Sequence, residues 1–320
     1  MSASMSAIDP VLREVRLHVA PPHETVTAVI TKNELCVRGP KSAKYVRHIE
    51  FDVSGTALEG AFAAGQSFGV VPPGVDEMGR PHQVRLYSLA SPSAGEDGAG
   101  KILSTTVKRT FFEHPETGEL VLGIASNYLC NLQVGDAMQV TGPNGKRFVL
   151  PVDIQAHDYL FIATGTGVAP FRGMLLELLA RGCERQITLI MGSPYTTDLL
   201  YHEEFEALSK QHANFRYLTA ISREDNGPAL GKLYVQDRLR ASMEVLRGQL
   251  ASTSNLIYIC GIAGMELGIF QALASELRGP ALAGYLAIDP AVAGDVGAWS
   301  QRMIHRKVKP TRRVMLEVYA

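Results

Sequence analysis

Tyr159-Leu160-Phe161-Ile162-Ala163-Thr164-Gly165-Thr166-Gly167-Val168-Ala169-Pro170 decides the fold class of this chain. The apolar run from Tyr159 to Ala163 is too short for an ordinary helix and suits a strand buried on both faces. Gly165 and Gly167 then allow a tight turn. Pro170 is tolerated in a first helical turn, and the apolar pattern behind it stops at Gly182, a residue type that ends helices. Strand, glycine-rich turn and helix make the opening of a parallel-sheet domain, and such a turn can bring a pyrophosphate onto a helix start. The full G-x-G-x-x-G pattern is absent, because Pro170 stands where its last glycine would be.

Downstream the alternation continues. Strands are expected at Ile187 to Met191, Phe215 to Ile221, Leu256 to Ile259 and Val314 to Tyr319. Helices are expected at Asp198 to His212, Leu233 to Leu246, Met265 to Leu277 and Val296 to Lys307. Strands alternating with helices imply right-handed βαβ units. Upstream the texture differs. Val26 to Thr31, Tyr45 to Val53, Gln66 to Val71, Gln83 to Leu89 and Ile102 to Val107 read as short strands. Gly39-Pro40, Pro72-Pro73-Gly74, Gly79-Arg80-Pro81 and Gly142-Pro143-Asn144-Gly145 punctuate them, which suggests an antiparallel barrel or sandwich. The boundary falls near Pro151 to His157. The expected layout is an arm at 1–24, a β domain at 25–154 and an α/β domain at 155–320.

Length and composition agree. The 320 residues exceed what one core of roughly 250–300 holds. Lys plus Arg is 31 against 32 Asp plus Glu, a net charge of −1, so nothing points to nucleic acid. Cys36, Cys130, Cys183 and Cys260 are scattered with no C-x-x-C pair, which argues against a zinc knuckle or a chain-borne iron–sulfur cluster; no metal site is expected. Lone thiols fit a reducing compartment. No apolar run reaches the ~20 residues of a membrane span, and Met1 to Ala7 has no signal-peptide character. A cytoplasmic protein is the expectation.

Six short segments carry chemistry, each with a plainer alternative. In Arg85-Leu86-Tyr87-Ser88 one strand face presents a cation and an aromatic ring, or it is a half-exposed edge. Gly123-Ile124-Ala125-Ser126 offers free N–H groups at a helix start, or a simple serine cap. Thr164 to Pro170 is the turn above. Ser222-Arg223 with Lys232 and Tyr234 can bind a phosphate dianion and stack on a base, or it is a solvated loop. Cys260-Gly261-Ile262-Ala263-Gly264-Met265-Glu266 follows another apolar strand, where a thiol faces a ligand or merely fills space. Glu317 and Tyr319 end the last strand.

Taken in order, RLYS, VKR, GIASNYL, GTGVAPFR, GSPYTTDLLYHEEF, SRE, KLYVQ, CGIAGME and EVY resemble plant-type ferredoxin–NADP reductase along nearly the whole chain from Thr25. The resemblance implies an antiparallel β-barrel FAD domain followed by an α/β NADP domain with a parallel five-stranded sheet. It implies FAD contacts at Arg85, Leu86, Tyr87, Ser88, Val107, Lys108, Arg109, Phe112, Gly123, Ala125 and Ser126. Phe112 stands where relatives have a tyrosine, and Ala125 where the plant pattern has cysteine. It implies NADP(H) contacts at Thr164, Gly165, Thr166, Gly167, Pro170, Ser193, Pro194, Ser222, Arg223, Lys232, Tyr234, Gln236, Gly261, Met265 and Glu266. Ser88, Cys260, Glu317 and Tyr319 would flank the reacting rings, with Tyr319 stacked on the flavin. Ala320 after Tyr319 departs from the plant pattern, in which the aromatic is terminal. Cations at Arg223 and Lys232 favour NADP over NAD, since NAD has only a 2′-hydroxyl there.

The implied activity is FAD-dependent electron transfer between NADP(H) and ferredoxin or flavodoxin, by a monomer. The alternatives are the reductase component of an oxygenase, or a non-catalytic flavin-binding regulator; the joint presence of Ser88, Cys260 and Glu317 speaks against the latter. The cations Arg302, Arg306, Lys307, Lys309, Arg312 and Arg313, with no acid among them, suggest either a solvated helix end or a rim for the acidic carriers this family uses.

Overall fold

A computed structural model describes residues 8–37, 42 and 45–319. The expected turn at Gly39-Pro40, residues 1–7 of the arm and Ala320 lie outside these described residues. The chain falls into two compact units. One holds residues 13–150 with 169–181; the other holds the described parts of 1–12, 151–168 and 182–320.

The first unit contains β1 (Val26–Leu35), β2 (Val46–Asp52), β3 (Ser67–Val71), β4 (Arg85–Ser88), β5 (Ile102–Lys108), β6 (Phe111–Glu113), β7 (Leu120–Leu122), helix α1 (Ile124–Asn131) and β8 (Ala137–Asn144). Six strands join in the order β4-β3-β8-β1-β2-β5, all neighbours antiparallel. A bridge from Leu89 to Thr105 brings the end of β4 onto β5 and closes the sheet into a barrel. Alternation with period two sends Ala28 and Ile30, Ile49 and Phe51, Phe68 and Val70, and Met138 and Val140 into one core. Leu129 and Leu132 join that core from α1 and the residue after it.

Gly142-Pro143-Asn144, expected as a turn, is the end of β8. The proline is tolerated because the ladder thins there: β1 pairs only as far as Val140, and β3 meets the segment again only at Ser67–Asn144. The Pro143 carbonyl accepts from His18 N–H (2.9 Å), and Ala20 exchanges two bonds of 2.9 Å with Gly142. Part of the arm expected at the surface is therefore packed on the barrel, with Ala20 in the core.

Helix α2 (Ala169–Ala180) belongs to this unit by its contacts. A side chain at Gly173 would overlap the Ser91 carbonyl oxygen, so the helix backbone lies directly on that loop. Arg172 pairs with Glu96 at 2.6 Å. Glu177 accepts from Ser93 N–H at 3.0 Å and pairs with Arg13 at 3.0 Å. Covered pairs of this kind are costly to break one partner at a time.

The second unit is built on β9 (Tyr159–Thr164), β10 (Ile187–Ser193), β11 (Phe215–Ile221), β12 (Leu256–Ile262) and β15 (Val314–Tyr319), all parallel, in the order β11-β10-β9-β12-β15. The chain runs from the central β9 to one edge and returns to fill the other. The topological switch point therefore lies between β9 and β12, outside whose carboxyl ends ligands bind in open α/β sheets. Helices α3 (His202–Gln211), α4 (Val235–Ala241), α5 (Met243–Ala251) and α6 (Met265–Glu276) follow the strands. Leu160, Ile162, Ile257 and Ile259 pack with Leu239, Leu246, Ile269 and Leu273. Helix α7 (Gly279–Ala283), β13 (Leu286–Ile288), α8 (Pro290–Ala293) and β14 (Val308–Pro310) complete the unit, β13 pairing antiparallel with β14.

Three expected helices change. The one expected at Leu233 to Leu246 is divided between α4 and α5, because Ser242 leaves helical geometry (φ −103°, ψ 13°). The one expected from Asp198 begins only at His202, behind a left-handed Tyr201 (φ 55°). The last, Val296 to Lys307, is not an α-helix: two 3₁₀ turns are separated by an extended Ser300 and followed by a left-handed His305 (φ 64°). Burial of Trp299 explains the break, since its indole joins the core and donates to the Val292 carbonyl at 2.8 Å.

Candidate functional site

In the first unit the closed sheet sets the expected faces of β4. Arg85 and Tyr87 pair with Val70 and Phe68 of β3 and share a face. Tyr87 leans on Phe68 (ring centroids 6.2 Å), and burial pushes its hydroxyl up to about 12. Arg85 stays exposed and donates to Gln83 Oε1 and the Val84 carbonyl. Leu86 is exposed on the other face. The Ser88 carbonyl accepts from Thr105 Oγ1 at 2.8 Å, tying β4 to β5.

Strand β5 leads to the start of α1. Val107 is sealed in the core, while Lys108 is exposed. Arg109 donates to Asn127 Oδ1 and Asn131 Oδ1, both at 2.8 Å, and so anchors α1. Gly123 precedes the helix with no side-chain cap and no acid in the first turn. The Ser126 hydroxyl accepts from Thr110 N–H (3.1 Å) and donates to the Gly123 carbonyl (3.2 Å). Asn127 Nδ2 donates to the same carbonyl and to that of Thr110, both at 2.8 Å. Side chains are thus spent on holding the turn, and the first N–H groups, at Ile124, Ala125 and Ser126, have no acceptor among the described residues, so an anion is favoured there. Phe112 is 52% exposed, and its neighbour Phe111 meets Tyr45 edge-on at 5.2 Å. Asn127 lay inside the GIASNYL segment but was given no role; its place four residues after a glycine that precedes the helix was the available signal.

In the second unit the turns after β9 and β12 interlock. Gly165 takes a left-handed conformation (φ 53°). A Cβ on Gly167 would overlap the Cys260 carbonyl oxygen, and one on Gly261 would overlap Thr164 Oγ1, so both glycines are required by close approach. Thr164 Oγ1 accepts from Ile262 N–H at 3.1 Å and lies 3.4 Å from Met265 Sδ. Pro170, in the first unit, sits in the first turn of α2, as expected. Glu266 is buried and accepts from Gly264 N–H at 2.9 Å and from the Gln301 amide, which stiffens the turn before α6.

Cys260 and Glu317 are register partners on β12 and β15, as are Ile262 and Tyr319. Cys260 is 1% exposed; burial, and then Glu317, push its thiol well above its ordinary value. It is a neutral packing group with no thiolate to offer. Tyr319 is 41% exposed, and its hydroxyl lies 2.7 Å from Thr166 Oγ1. Burial pushes that hydroxyl up to about 12.

The turns after β10 and β11 are also joined. Ser222 N–H donates to the Ser193 carbonyl (3.0 Å) and Arg223 N–H to that of Pro194 (2.9 Å). Thr196 N–H donates to Glu224 Oε2 at 2.8 Å. Asn226 bonds both main-chain groups of Ile221 and the Gly231 carbonyl, at 2.8–2.9 Å, holding the loop between Ser222 and Lys232. Arg223 and Lys232 are exposed and form no ion pair among the described residues. The Tyr234 ring is exposed, and Gln236 abuts Gly268 on α6. Arg223 Cζ lies 5.7 Å from the centre of the Tyr195 ring. Neither Asn226 nor Tyr195 was given a role; Asn-Gly at 226–227 marks a turn, and Tyr195 lies inside the GSPYTTDLLYHEEF segment.

Among the described residues no group of His, Cys, Asp and Glu is arranged to hold a metal ion, and no helix is long and apolar enough to cross a membrane.

Residues 161–270 match a family model described as the oxidoreductase NAD-binding domain. The chain is 42% identical over 236 residues to a ferredoxin–NADP reductase of Spirulina sp, covering 72% of this chain and 79% of that one. It is 39% identical over 279 residues to the chloroplastic root isozyme of ferredoxin–NADP reductase from Oryza sativa subsp. japonica, covering 83% and 72%. Some relatives are longer: the chain spans 58% of a Picosynechococcus sp. ferredoxin–NADP reductase, at 40% identity. A solved ferredoxin–NADP⁺ reductase from Plasmodium falciparum superposes with a TM-score of 0.69 at 24% identity, over 95% of this chain and 99% of that one, which bears on the fold alone. A barrel with an open helix start and a parallel sheet with cations at its carboxyl edge define an oxidoreductase that works with dinucleotides. Within that class, the chain belongs to the ferredoxin–NADP reductase family.

Proposed function

We propose that this protein transfers electrons between NADP(H) and ferredoxin, or a flavodoxin of similar acidity, through a bound FAD, with residues 25–154 serving FAD and 155–320 serving NADP(H). We further propose that it acts as a cytoplasmic monomer, a setting consistent with its free cysteines. The observation that carries the nucleotide assignment is the pair of exposed cations, Arg223 and Lys232, at the carboxyl edge of the parallel sheet, with no acid paired to either among the described residues. A pocket for NAD would gain from a carboxylate there; a 2′-phosphate needs positive charge.

The residues present fit FAD. A doubly negative pyrophosphate suits the exposed Arg85 guanidinium and the uncapped start of α1, and an adenine ring suits the exposed face of Phe112. When bound, FAD supplies the exchange of one hydride for two single electrons. The chain's own residues do the rest. Tyr87 is braced by Phe68 and offers a rigid aromatic wall. Ser88, fixed through its carbonyl to Thr105, holds its hydroxyl in one place. Cys260 stays protonated and excludes water beside Glu317. Thr166 holds Tyr319 over the turn that receives the nicotinamide end of NADP(H), so entry requires that one hydrogen bond to open.

Flavin reduction in the purified protein tests the proposal: rapid reduction by NADPH, slow reduction by NADH, and ferredoxin-dependent turnover are expected. Equal rates with the two nucleotides would remove the 2′-phosphate assignment.

A further inference from the structure

We propose that Tyr195 is a positioning residue that holds the Arg223 guanidinium where the 2′-phosphate of NADP(H) is read; this rests on the assignment of the Ser222 to Tyr234 pocket to that phosphate. Three ties fix the two side chains relative to each other. The turn after β10 and the turn after β11 are zipped by the Ser222–Ser193 and Arg223–Pro194 main-chain bonds. Glu224 accepts from Thr196 N–H, one residue beyond Tyr195. Asn226 closes the far side of the same loop. With the backbones locked, Arg223 Cζ lies 5.7 Å from the Tyr195 ring centre, within cation–π range.

The ring matters because Arg223 is otherwise unrestrained. It is exposed and has no ion-pair partner among the described residues. An arginine in water samples many rotamers, and ordering it on binding costs affinity. A ring attracts the guanidinium without neutralising it, whereas a carboxylate would cancel the charge that a phosphate needs. Tyr195 therefore orders the cation and leaves its charge for the dianion. A hydrogen bond from the guanidinium to the Tyr195 hydroxyl is the main cause that raises the Arg223 pKa, so the hydroxyl acts beside the ring in holding the cation.

The test is calorimetric binding of 2′-phospho-AMP to the purified holoprotein, with steady-state kinetics for NADPH and NADH alongside. Tyr195→Ala should weaken 2′-phospho-AMP binding and raise the NADPH KM, each by roughly two- to five-fold, the span of an exposed cation–π contact. The NADH KM and both kcat values should stay unchanged. Tyr195→Phe, which keeps the ring and loses the hydroxyl, should fall between wild type and Tyr195→Ala. In an Arg223→Ala background, Tyr195→Ala should have no further effect. Loss of NADH and NADPH use together, an undiminished loss in the Arg223→Ala background, or no loss at all would overturn the positioning role. If Arg223→Ala itself leaves 2′-phospho-AMP binding intact, the phosphate assignment of the pocket fails, and the inference falls with it.

Discussion

Changing Tyr319 to Phe deletes one oxygen from the aromatic at the end of β15. That oxygen lies 2.7 Å from Thr166 Oγ1 in the turn after β9. A neutral hydrogen bond contributes about 0.5–1.5 kcal/mol, and the lower half applies because this bond lies at an exposed position where water competes. If the bond holds Tyr319 where the nicotinamide must enter, removing it shifts the ring toward its displaced position, and apparent affinity rises by the same factor. The expected gain in NADP⁺ affinity is therefore roughly two- to five-fold, measured by titration calorimetry or by the flavin difference spectrum. Thr166→Val should reproduce the gain, and Thr166→Ser should not. The Tyr319 hydroxyl, pushed up to about 12 by burial, stays protonated between pH 6 and pH 10, so NADP⁺ affinity should show no titration from it there. Unchanged or weaker NADP⁺ binding by Tyr319→Phe would refute the occluding role.

Three other perturbations probe different parts of the molecule. Arg302, Arg306, Lys307, Lys309 and Arg312 are exposed and unpaired among the described residues, so the double change Arg306→Glu with Lys307→Glu should slow ferredoxin reduction, flatten its salt dependence and spare ferricyanide reduction; a parallel fall in both activities would mean that the segment supports the fold. Gly167→Ala puts a methyl group into the Cys260 carbonyl and should destabilise the protein by about 1–3 kcal/mol, seen as a lower Tm. Glu50 is held down to about 2 by His48 and Lys32, below its ordinary 4.5; its folded value is depressed, so its stabilisation is present above about pH 4.5 and is lost as pH falls toward 2. Glu50→Gln should accordingly flatten the acid side of the Tm–pH profile.

The parallel sheet was legible because its physics is local. A strand buried on both faces must be an unbroken apolar run, so the inner strands were read at Tyr159 to Ala163, Ile187 to Met191 and Leu256 to Ile259, within their observed Tyr159–Thr164, Ile187–Ser193 and Leu256–Ile262. Gly165 and Pro170 punctuate the first turn in the same local way. The barrel was harder. Strand β8 carries its proline where the ladder thins, and β6 and β7 have three residues each, too few for any period to emerge. The tail from Val296 to Lys307 failed because burial of Trp299 overrides a helical pattern. Arg313 failed for a related reason. It looked like one more rim cation, but it is 2% exposed, donates to the Asn255 and Ser252 carbonyls, and stacks on Tyr285 at 4.5 Å. In the candidate site the residue types were visible and their employment was not. Arg109 was read from the resemblance as an FAD contact, and its guanidinium also donates to Asn127 and Asn131 across the start of α1, a task the sequence did not show. Tyr195 lay inside a quoted segment, but its part became visible only with the turns after β10 and β11 side by side.

The most direct test of the central claim is stopped-flow reduction of the flavin in the purified protein by NADPH and by NADH, followed by mixing with oxidised ferredoxin. The account predicts fast bleaching with NADPH, much slower bleaching with NADH, and prompt reoxidation on meeting ferredoxin. Bleaching at equal rates with the two nucleotides, or a reduced flavin that ferredoxin does not reoxidise, would contradict it.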